Sequence, residues 1–169
     1  MRAAAATFLT LAILWGLAAQ VNHSLSPWHV SVFVDGLAIT YAALALPLGP
    51  GLAAVLGAGL LADANSPVAF GARTLMLGFA YAILFRMRHR LPHEETAGQV
   101  GIALLANFAL FFGLTFLVLR PVPAGGWPRL GADLVCSQAF LGLIAPWFFA
   151  LQERALALAE AVPAPALRP

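Results

Sequence analysis

Two ionisable side chains of opposite sign, Asp63 and Arg73, sit in a stretch that is otherwise apolar or turn-forming: Gly57-Ala-Gly59-Leu-Leu-Ala-Asp63-Ala-Asn-Ser-Pro67-Val-Ala-Phe-Gly71-Ala-Arg73. A charge held in hydrocarbon costs several kcal/mol unless it is paired or reaches water, so such residues mark functional or assembly sites. Asp35 and Asp133 interrupt two further apolar runs. Three chemistries are open to this set. Arg73 neutralises one or two of the aspartates and clamps their helices together, because an unpaired partner would be costly there. Alternatively, the four groups line a ligand pocket that opens to the outer side. In the third reading, Asp63 and Asp133 form the carboxylate pair of an intramembrane aspartyl peptidase. The clamp is the expectation.

Other chemistries find less support. His23 and His29 fall on one side of the membrane and His89 and His93 on the other, so the four histidines cannot share a site. His89 and His93 are four apart, but Pro92 and the flanking arginines read as a solvated loop rather than a zinc site. No Gly-x-Ser-x-Gly nucleophile elbow occurs, and no cofactor motif is present. Cys136-Ser-Gln138 reads as a polar stripe packed inside the bundle, and Asn107 as an interhelical hydrogen-bonding group worth about 1 kcal/mol. Cys136 is the single cysteine, so no internal disulfide can form.

The elements that position these residues follow from composition. Of 169 residues, 62% are hydrophobic and 9% charged, with a mean hydropathy of +0.88. A soluble domain has about a quarter of its residues charged. The expectation is therefore an all-α polytopic membrane protein, residues 1–162 forming one bundle, followed by a disordered Pro-rich tail over 163–169. Its immediate partner is the lipid bilayer, and nucleic acid is not expected. A transmembrane helix needs roughly 20 apolar residues. On that basis six segments emerge, at about 3–21, 29–47, 50–63, 67–85, 98–119 and 131–151. The first resembles a signal peptide weakly, but its apolar run is long enough to span. Pro47-Leu-Gly-Pro50-Gly51 marks a hairpin between the second and third segments. The third is short and must lean on its neighbours.

All nine basic residues are arginines. With six spans and the N-terminus inside, Arg2, Arg86, Arg88, Arg90, Arg154 and Arg168 lie in the cytoplasm, whereas Arg120 and Arg129 lie outside. Merging the third and fourth segments would put the Arg86–Arg90 cluster outside, against the positive-inside bias. Both termini are thus expected to be cytoplasmic. In this topology Asp35 and Arg73 each lie about 9 Å in from the outer side. Asp63 ends the third helix and Asp133 enters the sixth on that same side. Asn65, Ser66 and Pro67 suit the capped start of the fourth helix, and Asp63 could accept the same amides. Gly57 pairs with Ala53, while Ala54, Ala58 and Ala62 recur every fourth residue. Such spacing lets helices approach closely within the bundle or against a partner. Pro146 is expected to kink the sixth helix.

The order Gly59-Leu-Leu-Ala-Asp63, seven residues, then Gly71-Ala-Arg73-Thr-Leu75 resembles the signature of MreD, the bacterial rod shape-determining membrane protein. Ala45-Leu-Pro47 and Pro146-Trp147 are also similar to that family. The match covers about residues 34–85, with support in the last helix. It departs in having Val34 before Asp35, where the family often has proline, and Asn65-Ser-Pro67 where a glycine is common. The resemblance implies a six-helix fold similar to the substrate-binding subunits of energy-coupling-factor vitamin transporters. It also implies a scaffold without known catalysis in the bacterial inner membrane. Such a scaffold binds MreC and helps connect MreB filaments to the peptidoglycan-synthesising pair of RodA and its transpeptidase. In that setting Asp35, Gly57, Gly59, Asp63, Gly71, Arg73, Asp133, Pro146 and Trp147 would maintain the fold or the partner face. The competing binding module is a vitamin-capturing transporter subunit of that same fold.

Overall fold

The computed structural model describes residues 2–64, 69–91, 95–118 and 126–161. The expected caps Asn65, Ser66 and Pro67, together with His93, Arg120 and the tail 163–169, lie outside the described residues. The described residues form six α-helices: α1 Arg2–Leu25, α2 Asp35–Ala45, α3 Leu48–Ala64, α4 Ala72–Met87, α5 Thr96–Val118 and α6 Trp127–Ala161. Single 3-10 turns follow α1 (Ser26–Trp28) and α4 (Arg88–Arg90). Among the described residues, three stretches are long and apolar enough to cross a membrane: Arg2–Trp28, Thr96–Leu117 and Trp127–Ala159. The chain is thus a helical membrane protein, in which α2 and α3 are shorter apolar helices.

α2 is the hub of the bundle. Every residue from Asp35 to Ala43 is buried, as expected of a helix apolar all round and covered on all sides. Leu37, Ala38 and Tyr41 pack into one cluster with Leu11 of α1, Ala103 of α5 and Leu141, Ala145 and Phe149 of α6. Ile39, Ala42 and Ala43 pack into a second cluster with Val55 of α3, Leu77 and Tyr81 of α4 and Leu110 of α5. The bundle surface carries large apolar side chains, among them Leu9, Leu75, Phe79, Leu105, Leu143 and Trp147. Lipid tails are as apolar as these residues, so helix association here depends on close packing and hydrogen bonds rather than on expulsion of water.

Glycines and alanines provide that close packing. Ala54, Ala58 and Ala62 of α3 are all buried, so this stripe serves internal packing. A Cβ at Gly59 would stand 3.1 Å from the Cα of Thr74 on α4, and one at Gly57 would stand 3.4 Å from the Phe8 ring of α1. The tightest backbone approach is at Gly36, where a Cβ would run into the backbone of Ala103 and Asn107 on α5.

Several boundaries differ from the sequence expectation. The second helix starts at Asp35, not residue 29, because the backbone of 31–33 is engaged by side chains of other helices. The third helix starts at Leu48: Pro50 and Gly51 lie in its first turn, where a missing N–H leaves no intrahelical bond unmade. The fourth starts at Ala72, not at residue 67, with Gly71 at its cap. The first and sixth helices outrun the expected 3–21 and 131–151, since polar residues at their ends continue the helical ladder. Pro146 lies inside α6, where it cannot donate to the carbonyl of Gly142.

Gly36→Ala should lower the thermal stability of the protein in detergent by about 1–3 kcal/mol, since α2 and α5 have no room to separate without losing their contacts. Gly49→Ala, with open space at its Cβ, should leave the melting temperature unchanged. Circular dichroism melts of the two variants check this.

Candidate functional site: a buried ion pair at a break before the second helix

Between Trp28 and Asp35 the chain is not helical. His29 closes the 3-10 turn in the left-handed region at φ 55°, and 30–34 run without regular structure. Backbone groups at membrane depth must be satisfied within the protein, and three helices supply side chains for the purpose. Asn22 of α1 clasps Val32, its Nδ2 donating to the carbonyl at 2.9 Å and its Oδ1 accepting the N–H at 2.6 Å. On α6, Asp133 Oδ1 accepts the Ser31 N–H at 2.8 Å and Ser137 Oγ accepts the Phe33 N–H at 2.9 Å. Asn107 of α5 donates to the Phe33 carbonyl and accepts the Gly36 N–H, both at 3.0 Å. Each of these polar side chains stabilises its helix against the break.

The break delivers Asp35 to the start of α2, where the helix dipole favours a carboxylate. Asp35 is fully buried. Its Oδ2 accepts Arg73 Nε at 2.6 Å, and its Oδ1 accepts both Arg73 Nη2 and, at 3.0 Å, the indole N–H of Trp15. The guanidinium and carboxylate thus meet edge to edge, the geometry in which an arginine pair is strongest. The guanidinium carbon lies 5.3 Å from the centroid of the Phe33 ring and 5.8 Å from that of Trp15, within cation–π range. Removing two charges from water is costly, and these added donors and ring faces offset that cost.

Asp63 has a different partner. Gly71, at the N-cap of α4, has no side chain to cap the helix and adopts φ 89°, which glycine reaches without strain. Asp63, reaching over from the end of α3, takes the capping role. Its Oδ2 accepts the Gly71 and Thr74 amides at 3.1 and 2.9 Å and the Thr74 hydroxyl at 2.5 Å, and its Oδ1 accepts the Arg73 amide at 3.2 Å. Arg73 therefore gives its backbone N–H to Asp63 and its side chain to Asp35.

The structure brings Asp35, Gly59, Asp63, Gly71 and Arg73 together, and joins Asp133 to them through Ser31. Gly57 faces α1 instead. Pro146 and Trp147 lie apart, and Trp147 is 80% exposed. Among the described residues no hydrogen bond links Asp63 to Asp133; each holds a different backbone segment. The polar stripe on α6 needs correction at one position. Ser137 is buried and Gln138 donates to the Leu104 carbonyl at 3.1 Å, but Cys136 is exposed, being turned to the outer face of the helix. Trp15, Asn22, Gly36 and Thr74 went unrecognised in the sequence. Asn22 near the end of an apolar helix and the Asp35-Gly36 pair inside an apolar run were the available signals. Beside Arg73 lies a cavity of about 590 Å³, bounded by α1, Val32, Val34 and the end of α3. No group of three or more His, Cys, Asp or Glu side chains suited to a metal occurs among the described residues.

Arg73→Gln and Asp35→Asn should each cost roughly 3 kcal/mol, because either leaves a buried charge without its partner. The double variant should lose less than the sum. A double-mutant cycle on unfolding in mixed micelles measures this, and strictly additive losses would mean that the two groups are not coupled.

Comparison of the chain with protein-family models, curated proteins and solved structures gave no match.

Proposed function

We propose that this protein is an MreD-like membrane scaffold of the bacterial cell-elongation complex. In this reading it is a non-catalytic, six-span protein of the inner membrane with both termini in the cytoplasm. It holds the bitopic protein MreC and so helps couple MreB filaments to RodA and its transpeptidase in peptidoglycan synthesis. The observation that carries the reading is the Asp63 to Arg73 stretch, whose order and spacing resemble the family signature. Its geometry supports a structural role: Asp63 caps α4, Gly59 permits the close α3–α4 approach, Gly71 supplies the left-handed turn before α4, and Arg73 ties both helices to α2. Both charged groups in the stretch hold helices together. The arginine distribution supports the proposed orientation. In the same reading, Trp147 and its neighbours Leu143 and Leu151, exposed on α6, offer a ridged face to the membrane helix of MreC.

A second reading, a vitamin-binding subunit of an energy-coupling-factor transporter, is favoured by one observation, the cavity beside Arg73.

Affinity purification from native membranes, with identification of the co-purifying proteins, separates the two. MreC or RodA is the expected recovery; transporter ATPases would replace the scaffold reading with the second. Trp147→Ala should leave thermal stability within about 0.5 kcal/mol of the parent while lowering MreC recovery. Undiminished recovery would remove this face of α6 from the proposed interface.

A further inference from the structure

Arg73 is not fully used by its partners. Asp35 takes Nε and Nη2, and Nη1 has no acceptor among the described residues. Nη1 is also not among the buried polar atoms that lack a partner, and the side chain as a whole is 20% exposed. A guanidinium has five N–H donors in a planar fork, so the edge away from Asp35 remains free to hold a second oxyanion. Arg73 lines the cavity of about 590 Å³, whose wall contains neither Asp35 nor Asp63.

The charge seen from inside the cavity is therefore positive. Asp35 stands behind the guanidinium with its oxygens directed at Arg73 and Trp15. Asp63 is directed at three amides and a hydroxyl, and the α4 N-terminus compensates its charge. Asn22, whose amide has a second N–H beyond the one given to Val32, adds a neutral donor to the same wall. The remaining wall is apolar and small, with Ala12, Gly16 and Ala19 on α1 opposite Leu61 and Ala62 on α3. Gly16 and Ala19 are exposed, so the cavity opens at the bundle surface, where the bilayer lies. Its volume is that of a site for a drug-sized ligand, several times that of a bare phosphate or carboxylate.

We propose that the cavity between α1 and α3 is a binding site for an amphiphilic oxyanion: a carboxylate or phosphate docks on the free edge of Arg73 and an apolar body lies along the small residues of α1. The ligand comes either from the bilayer, as an anionic phospholipid, or as a free amphiphile carrying a carboxylate. This site is additional to the scaffold role and does not depend on it.

The test uses Trp15, which lines the cavity. Trp28, Trp127 and Trp147 are exposed and are replaced by Phe, so that fluorescence reports Trp15 alone. The protein in dodecyl maltoside is titrated with dibromostearate, with its uncharged methyl ester and with brominated phosphatidylglycerol. The acid or the phosphatidylglycerol should quench at concentrations about tenfold below the ester, as expected for one charge-assisted contact. Quenching by the acid alone assigns a free amphiphile, by phosphatidylglycerol alone a lipid, and by both a site that reads the oxyanion itself. Equal quenching by acid and ester overturns the proposal, as does full displacement of dibromostearate by inorganic phosphate at equal concentration. A Gly16→Leu/Ala19→Leu variant narrows the cavity without touching the ion pair; both positions are exposed and a Cβ at Gly16 meets nothing within 4 Å, and a melting temperature equal to the parent's checks that the fold is kept. Its affinity for the acid should fall about tenfold, and an unchanged affinity would place the ligand elsewhere.

Discussion

Hydrocarbon offers no hydrogen bonds, and the architecture of this protein turns on how one non-helical stretch of backbone is satisfied without water. Residues 30–34 descend beside the bundle core to bring Asp35 to the head of α2. The amides and carbonyls of residues 31–33 are met by Asn22, Asn107, Asp133 and Ser137, drawn from α1, α5 and α6. Those three helices are thereby held to a common register, because displacing any of them would strand a buried donor or acceptor. α2 can be short because it starts inside the bundle, and it can be buried all round because five other helices surround it.

Arg73 joins this break to the rest of the bundle. Through its amide it belongs to the cap that Asp63 builds for α4, and through its guanidinium it belongs to α2. One residue thus ties α3, α4 and α2 at a single point, with Trp15 extending the contact to α1. Small residues make the approach possible: Gly59 admits Thr74, and Gly36 admits the backbone of α5. Polar bonds specify the register and glycines permit it. Neither would suffice alone, since packing in lipid has no hydrophobic drive to favour one compact arrangement over another.

For function, this distribution of polar groups separates structure from possible recognition. Asp63 and Asp133, the carboxylates that might have formed a catalytic pair, are each committed to backbone amides of a different segment. Arg73, by contrast, keeps an N–H edge that Asp35 does not take. Under the proposed scaffold role, the polar network would fix the helix faces and the apolar, exposed ridge on α6 would be the face offered to a partner. The cavity beside Arg73 adds a place where the bilayer or a small amphiphile can act on the joint where four helices meet.

Much of this was legible in the chain itself. Composition alone required a helical membrane protein, and turn chemistry with hydropathy placed six helices and the Asp63–Arg73 interruption. The depths expected for Asp35 and Arg73 counted α-helical rise from residues 29 and 67, whereas their helices start at Asp35 and Ala72, so both residues stand in the first turn of a helix rather than six residues into one. Which aspartate Arg73 chooses could not be read, because three carboxylates at one depth are equivalent until the rotation of each helix is known. The start of α2 was misplaced for a related reason: a mostly apolar stretch such as 30–34 suits helix or extended chain equally, and the choice was made by Asn22 together with Asn107, Asp133 and Ser137, the last three distant in sequence. Gly36 gave no signal either, since a glycine reveals a close approach only once the neighbouring backbone is in place. Residue type and spacing determined what had to be buried and paired; helix rotation and register, which exist only in the folded bundle, decided with whom.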